Sequence, residues 1–172
     1  TRAVGALRGF VSSTRDADAA YLQALLERPG SARTFVALPH SFWPAEWKDK
    51  YVRPVVPLKL ALFGHPEAGN LWENHSFGKI RSLDWVDAPE YPSVFKHPAT
   101  KAMLTSYVDD FELVASEANT HSHWAALEKV IEFKDPPQFW GADPTSHLGC
   151  QHRFYQQRTK DGHVLTTYDV EM

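Results

Sequence analysis

Residues 105–115 read TSYVDDFELVA and set two adjacent carboxylates, Asp109 and Asp110, between apolar, β-prone runs. Neither acid can be buried cheaply without a counter-charge. A divalent cation would supply that charge, and hard oxygen ligands suit magnesium. Two such ions about 3.5–4 Å apart activate an attacking hydroxyl and stabilise the leaving group of an in-line phosphoryl transfer. The plainer reading is a hairpin turn, because Asp is common in turns. Taken alone, the pair favours the turn.

The flanking residues say how such acids would be held. Residues 103–107 and 111–115 have strand composition, which makes the pair the tip of a hairpin, and residues 93–96 read as a further strand. Near the start, residues 3–11 suit the end of a helix, and Ser12, Ser13 and Thr14 break that pattern ahead of a short strand at Asp16. Residues 32–38 and 51–56 are predicted to pair antiparallel around a Trp- and Pro-rich loop. Residues 60–80 are predicted as a helix with Pro66 in its first turn and Leu60, Phe63, Leu71, Trp72 and Phe77 on the buried side.

A second helix is expected over residues 120–133, with Trp124, Leu127, Val130 and Ile131 inward and a polar face that includes His121 and His123. Asp135-Pro136-Pro137 ends it. Residues 147–168 offer two more strands around an Asp161-Gly162 turn. The pattern is α+β, without repeats or a domain boundary, and residues 1–172 are expected to form one domain.

With 43% hydrophobic residues the chain has enough apolar surface for a core of its own. A net charge of -3 argues against a strongly basic surface, although basic residues gathered in one groove would still bind nucleic acid. The single cysteine, Cys150, excludes an internal disulfide, and no zinc-type Cys/His spacing occurs. No apolar run of about 18 residues or signal peptide is seen, so a soluble, intracellular protein with no membrane partner is expected. The start at Thr1 instead of Met suggests a fragment of a longer chain or a trimmed one.

YVDD between apolar flanks resembles the most recognisable motif of reverse transcriptases, and further motifs follow in family order. DADAAYLQA, residues 16–24, is similar to the first palm motif of copia-type (Pseudoviridae-like) retrotransposon enzymes, in which an Asp precedes an aromatic by five residues; here these are Asp16 and Tyr21. Asp18 is the competing acid, at the wrong spacing. LKLALFGHPEAGNLWE, residues 58–73, matches at Ala61, Leu62, Phe63, Gly64 and Trp72. HLGC, residues 147–150, is similar to the Phe-Leu-Gly-aliphatic motif near the primer end. The likeness runs from Asp16 to about Arg153.

The resemblance implies a polymerase palm-like antiparallel sheet packed against helices, incomplete because the fingers and RNase H regions would come from a longer polyprotein. It implies an RNA-directed DNA polymerase in which Asp16, Asp109 and Asp110 bind two Mg2+ ions, with Mn2+ as a substitute. The nucleotide would lie against Tyr21, Ala17 and the loop of Glu67, where many members carry Gln; the primer end would meet Tyr107, Leu148 and Gly149. Implied partners are an RNA or DNA template-primer and deoxynucleotides. The implied location is cytoplasmic, including virus-like particles, or nuclear.

Two other readings stand beside this one. An inactive or co-opted palm remnant would act as a nucleic-acid or protein binding module, in keeping with Glu67 and the acidic charge. An unrelated α/β domain with a fortuitous YVDD turn would leave Asp16 far from Asp109. Individually, Phe63 and Trp72 also suit a core, Gly149 a strand bulge, and the scattered Lys and Arg residues a solvated face.

Overall fold

A computed structural model of the chain describes residues 9–30, 32–141 and 143–171. Its main element is a six-stranded antiparallel sheet built from β1 (Phe10–Asp16), β4 (Val86–Asp87), β5 (Val94–Lys96), β6 (Met103–Tyr107), β7 (Asp110–Ser116) and β8 (Gln138–Phe139). Their spatial order is β4-β5-β6-β7-β1-β8. Strands β2 (Phe35–Ala37) and β3 (Val55–Pro57) form a separate antiparallel ribbon, as the sequence predicts. Strands β9 (Thr145–His147), β10 (Cys150–Arg158) and β11 (Val164–Glu171) form a third sheet around the expected turn at Gly162. With helices α1 (Ala68–Arg81) and α2 (Glu117–Leu127), the fold is mixed α+β with antiparallel sheets.

Strand β7 lies between β6 and β1, and Phe111 to Ala115 are buried without a break, so neither face meets solvent. Side chains alternate between the two faces. Phe111, Leu113 and Ala115 join Leu104, Trp72, Trp124 and Leu127 in the core beneath the helices. Ser12, Thr14 and Asp16 of β1 pair with Val114, Glu112 and Asp110 of β7, and these residues occupy the opposite face.

Several expectations are corrected. Ser12, Ser13 and Thr14 do not interrupt the chain; they are buried inside β1. Ser13 Oγ donates to the Leu113 carbonyl at 3.4 Å and accepts from Trp124 Nε1 at 2.9 Å, which satisfies its hydroxyl within the sheet. Of the helix expected over residues 3–11, residues 3–8 lie outside the described residues, and Phe10 and Val11 belong to β1.

Helix α1 begins at Ala68 instead of residue 60. Its presumed first turns are held elsewhere: Leu26 N–H donates to the Lys59 carbonyl and Ala61 N–H to the Ala24 carbonyl, both at 2.9 Å. Leu60 and Phe63 are accordingly exposed, whereas Leu71 and Trp72 are buried. Helix α2 spans Glu117–Leu127 instead of residues 120–133, because Asp18 N–H donates to the Glu132 carbonyl and Lys134 N–H to the Asp16 carbonyl. His123 is buried on this helix, bonded to Thr100 Oγ1 at 2.9 Å, and does not lie on its polar face. Among the described residues no helix is long and apolar enough to cross a membrane.

Candidate active site

Asp16 ends β1 and Asp110 begins β7, directly opposite each other across an antiparallel pair. Opposed residues share a face, so both carboxylates leave the sheet on the side away from the helices. Beyond the strands, Ala17 N–H donates to the Asp109 carbonyl at 2.7 Å, which fixes the hairpin tip against the end of β1. Asp16 and Asp109 are exposed, and the Asp110 side chain keeps 28% of its accessibility. The separation expected of an unrelated domain is absent.

The hairpin tip is strained. Val108 and Asp109 form a two-residue loop between Tyr107 and Asp110, and Val108 has φ 55°. A β-branched residue at positive φ is an outlier that costs about 1–3 kcal/mol and persists only where its surroundings hold it. Trp72 supplies that hold: its Nε1 donates to the Val108 carbonyl at 2.6 Å from the buried face of α1. The tryptophan is both a core residue and a brace for the acid-bearing turn.

Burial raises the Asp110 carboxyl to about 6, helped by the charges of Asp16 and Asp109 and by a hydrogen bond to Asp16. Among the described residues no Lys or Arg forms an ion pair with any of the three acids. The basic side chain paired with Asp110 is His147, whose Nδ1 lies 3.8 Å from Asp110 Oδ1. As they stand, no three His, Cys, Asp or Glu side chains among the described residues converge as a metal-binding group. The donor set nevertheless fits a hard divalent cation: three carboxylates at a wet end of the sheet, with Asp110 raised by burial and by two acidic neighbours whose repulsion a cation would relieve.

A cavity of about 370 Å³ opens beside the acids, lined by Thr14, Asp16, Asp110, Gln138, His147 and Gly149 among others. Leu148 and Gly149 cover it from the β9–β10 loop, where φ is 51° and 75°. Two successive positive φ values make this a tight hairpin turn instead of a strand bulge. Arg15, one residue before Asp16, also lines the cavity, but its guanidinium packs toward the helix side of the sheet. There it is buried over the Trp124 and Phe133 rings, paired with Glu128 and donating to the Asp135 carbonyl at 2.7 Å.

The remaining sites from the sequence reading fall elsewhere. Tyr21 lies in a 3-10 turn, Ala20–Gln23, its ring edge-on to Phe63 with centroids 4.6 Å apart. With Trp72, Ser106, Tyr107 and Val108 it lines a second cavity of about 200 Å³. Tyr107 therefore sits with Tyr21 and not with Leu148 and Gly149. Ala17 is buried between the acids and the 3-10 turn. Asp18 lines a separate cavity with His75 and Lys79, so Asp16 is the acid that joins the pair. Glu67 lines none of these cavities; it pairs with Arg28 at 3.4 Å on the surface before α1. His147 enters the sequence reading only as the first residue of HLGC, with no role of its own; its neighbour Asp110 is brought to it only by the fold.

A scan against protein-family models gives no match, and a search of curated proteins gives none.

Proposed function

We propose that this chain is the palm segment of a copia-type retrotransposon reverse transcriptase, an RNA-directed DNA polymerase extending a primer 3'-hydroxyl. The observation that carries the reading is the pairing of Asp16 with Asp110 at one end of the sheet, with Asp109 beside them through its carbonyl's bond to Ala17 N–H, from segments far apart in sequence. Their order with the other motifs supports it. In the reaction the primer 3'-oxygen bonds to the α-phosphorus of a deoxynucleotide, the α–β phosphoanhydride breaks, and pyrophosphate leaves. Bound at these acids, two Mg2+ ions, or Mn2+ in their place, would supply Lewis-acid activation of the hydroxyl and neutralise phosphate charge.

The protein's own part is positioning. Pairing of β1 with β7 holds Asp16 against Asp110, and the braced hairpin holds Asp109 at the rim. Tyr21, set by its contact with Phe63, offers a ring for the sugar of the incoming nucleotide. The cavity under Leu148 and Gly149 takes the primer terminus of a template-primer duplex. The second reading, a non-polymerising remnant, is favoured by Glu67, which pairs with Arg28 and faces none of these cavities.

Primer extension on an RNA template with Mg2+ and deoxynucleotides, comparing the chain with Asp109→Asn, separates the two. Extension by the parent, lost by at least 100-fold in a variant with unchanged circular dichroism, is expected of the polymerase. No extension by either protein leaves the remnant. Equal extension by both refutes the assignment of Asp109.

A further inference from the structure

His147 is buried, with 4% of its side chain accessible, yet it lines the polar cavity beside the acids with Nδ1 3.8 Å from Asp110 Oδ1. Its placement is over-determined. The His147 carbonyl meets His152 Nε2 at 2.9 Å, and His152 Nδ1 meets the Tyr168 hydroxyl at 2.6 Å. The rings of His152 and Tyr168 stack with Trp140, interplanar angles of 13° and 7°, and Trp140 also touches the His147 ring with centroids 5.8 Å apart. Trp140 N–H in turn donates to the Ser12 carbonyl of β1 at 2.9 Å. A chain of aromatic rings thus joins the β9–β11 sheet to the strand that carries Asp16, and His147 is its end nearest the acids.

Among the described residues Asp110 forms no ion pair with Lys or Arg; Arg15 also lines this cavity, but its guanidinium is paired with Glu128. At 3.8 Å the ring nitrogen lies just beyond hydrogen-bond distance of Asp110; a shift of under about 1 Å would let a ring N–H hold one carboxylate oxygen and leave the second to a cation. Such outer partners commonly change metal affinity by 10–100-fold.

We propose that His147 is a positioning residue for Asp110, presenting a ring nitrogen donor that orients the carboxylate toward a divalent cation. The inference rests on the reading of Asp16, Asp109 and Asp110 as the cation ligands.

Its test is Mn2+ binding to the whole chain, followed by electron paramagnetic resonance and calorimetry without nucleotide or primer. Four proteins are compared: the parent, Asp110→Asn, His147→Phe, which keeps the ring without a donor, and His147→Asn, whose amide places an N–H near the Nδ1 position. The expected result is Mn2+ affinity about tenfold weaker in His147→Phe and recovered to within about twofold in His147→Asn. Melting temperatures of the two His147 variants show whether folding is kept.

Parent-like affinity in His147→Phe overturns the role of His147 while leaving the ligand assignment standing. Equal weakening in a folded His147→Asn also overturns it, because ring shape and not the donor would then matter. Should His147→Phe not fold, the His147→Asn protein decides alone: affinity near that of the parent supports the donor role. Absence of Mn2+ binding by the parent, or no difference between the parent and Asp110→Asn, overturns the ligand assignment itself and the inference with it.

Discussion

Replacing Asp110 by Asn should make the metal-free protein more stable at neutral pH. In the folded state the carboxyl is raised from 3.8 to about 6, first by burial and then by Asp16 and Asp109, so its ionisation is unfavourable there. That rise corresponds to ~3 kcal/mol, at 1.36 kcal/mol per pH unit. With 28% of the side chain open to water, solvent screening reduces it to ~1–2 kcal/mol. The sign follows from proton binding. Between pH 3.8 and about 6 the folded state holds more protons than the unfolded chain, so stability falls as pH rises through this window and the loss is complete above it. Asparagine removes the charge and keeps the shape. Thermal melts in EDTA at pH 7.5 should therefore show Asp110→Asn higher by about 3–6 °C, with the difference closing near pH 4. Adding Mn2+ should raise the parent toward the variant. A variant that melts lower than the parent at pH 7.5, or a gap unchanged at pH 4, would refute the claim that Asp110 is held against repulsion.

Val108→Gly should stabilise the chain by about 1 kcal/mol in urea unfolding, because glycine adopts φ 55° without a side-chain clash. Primer extension by this variant should fall, as the hairpin tip loosens. Trp72→Phe removes the donor to the Val108 carbonyl from a buried site and should cost about 1–2 kcal/mol, read by the same unfolding experiment.

The acid pair was legible because its signal is local: strand composition on both sides of two polar residues needs no distant partner to be seen. Asp16 was reached only through its spacing to Tyr21 and the order of motifs, and in the fold the β1–β7 register sets it opposite Asp110. Where the sequence reading failed, a distant segment had taken the backbone hydrogen bonds. Residues 60–63 are apolar at helical spacing, but Leu60 forms a bridge with Leu25 and Ala61 bonds to Ala24, so the local period lost to extended pairing. The end of the second helix was lost in the same way, since Phe133 bridges to Ala17. Serines 12 and 13 looked like a break because hydroxyls compete with backbone bonding, yet the Trp124 indole N–H meets the Ser13 hydroxyl inside the core.

His147 and Arg15 belong to the same class. Both lie beside the acids through side-chain contacts to residues far along the chain: Arg15 against Trp124 and Phe133, His147 against Asp110. The placement of Arg15 has an electrostatic consequence. The guanidinium nearest Asp16 in sequence is paired with Glu128, so it does not offset the charges of Asp16 and Asp109 that, with burial, raise Asp110.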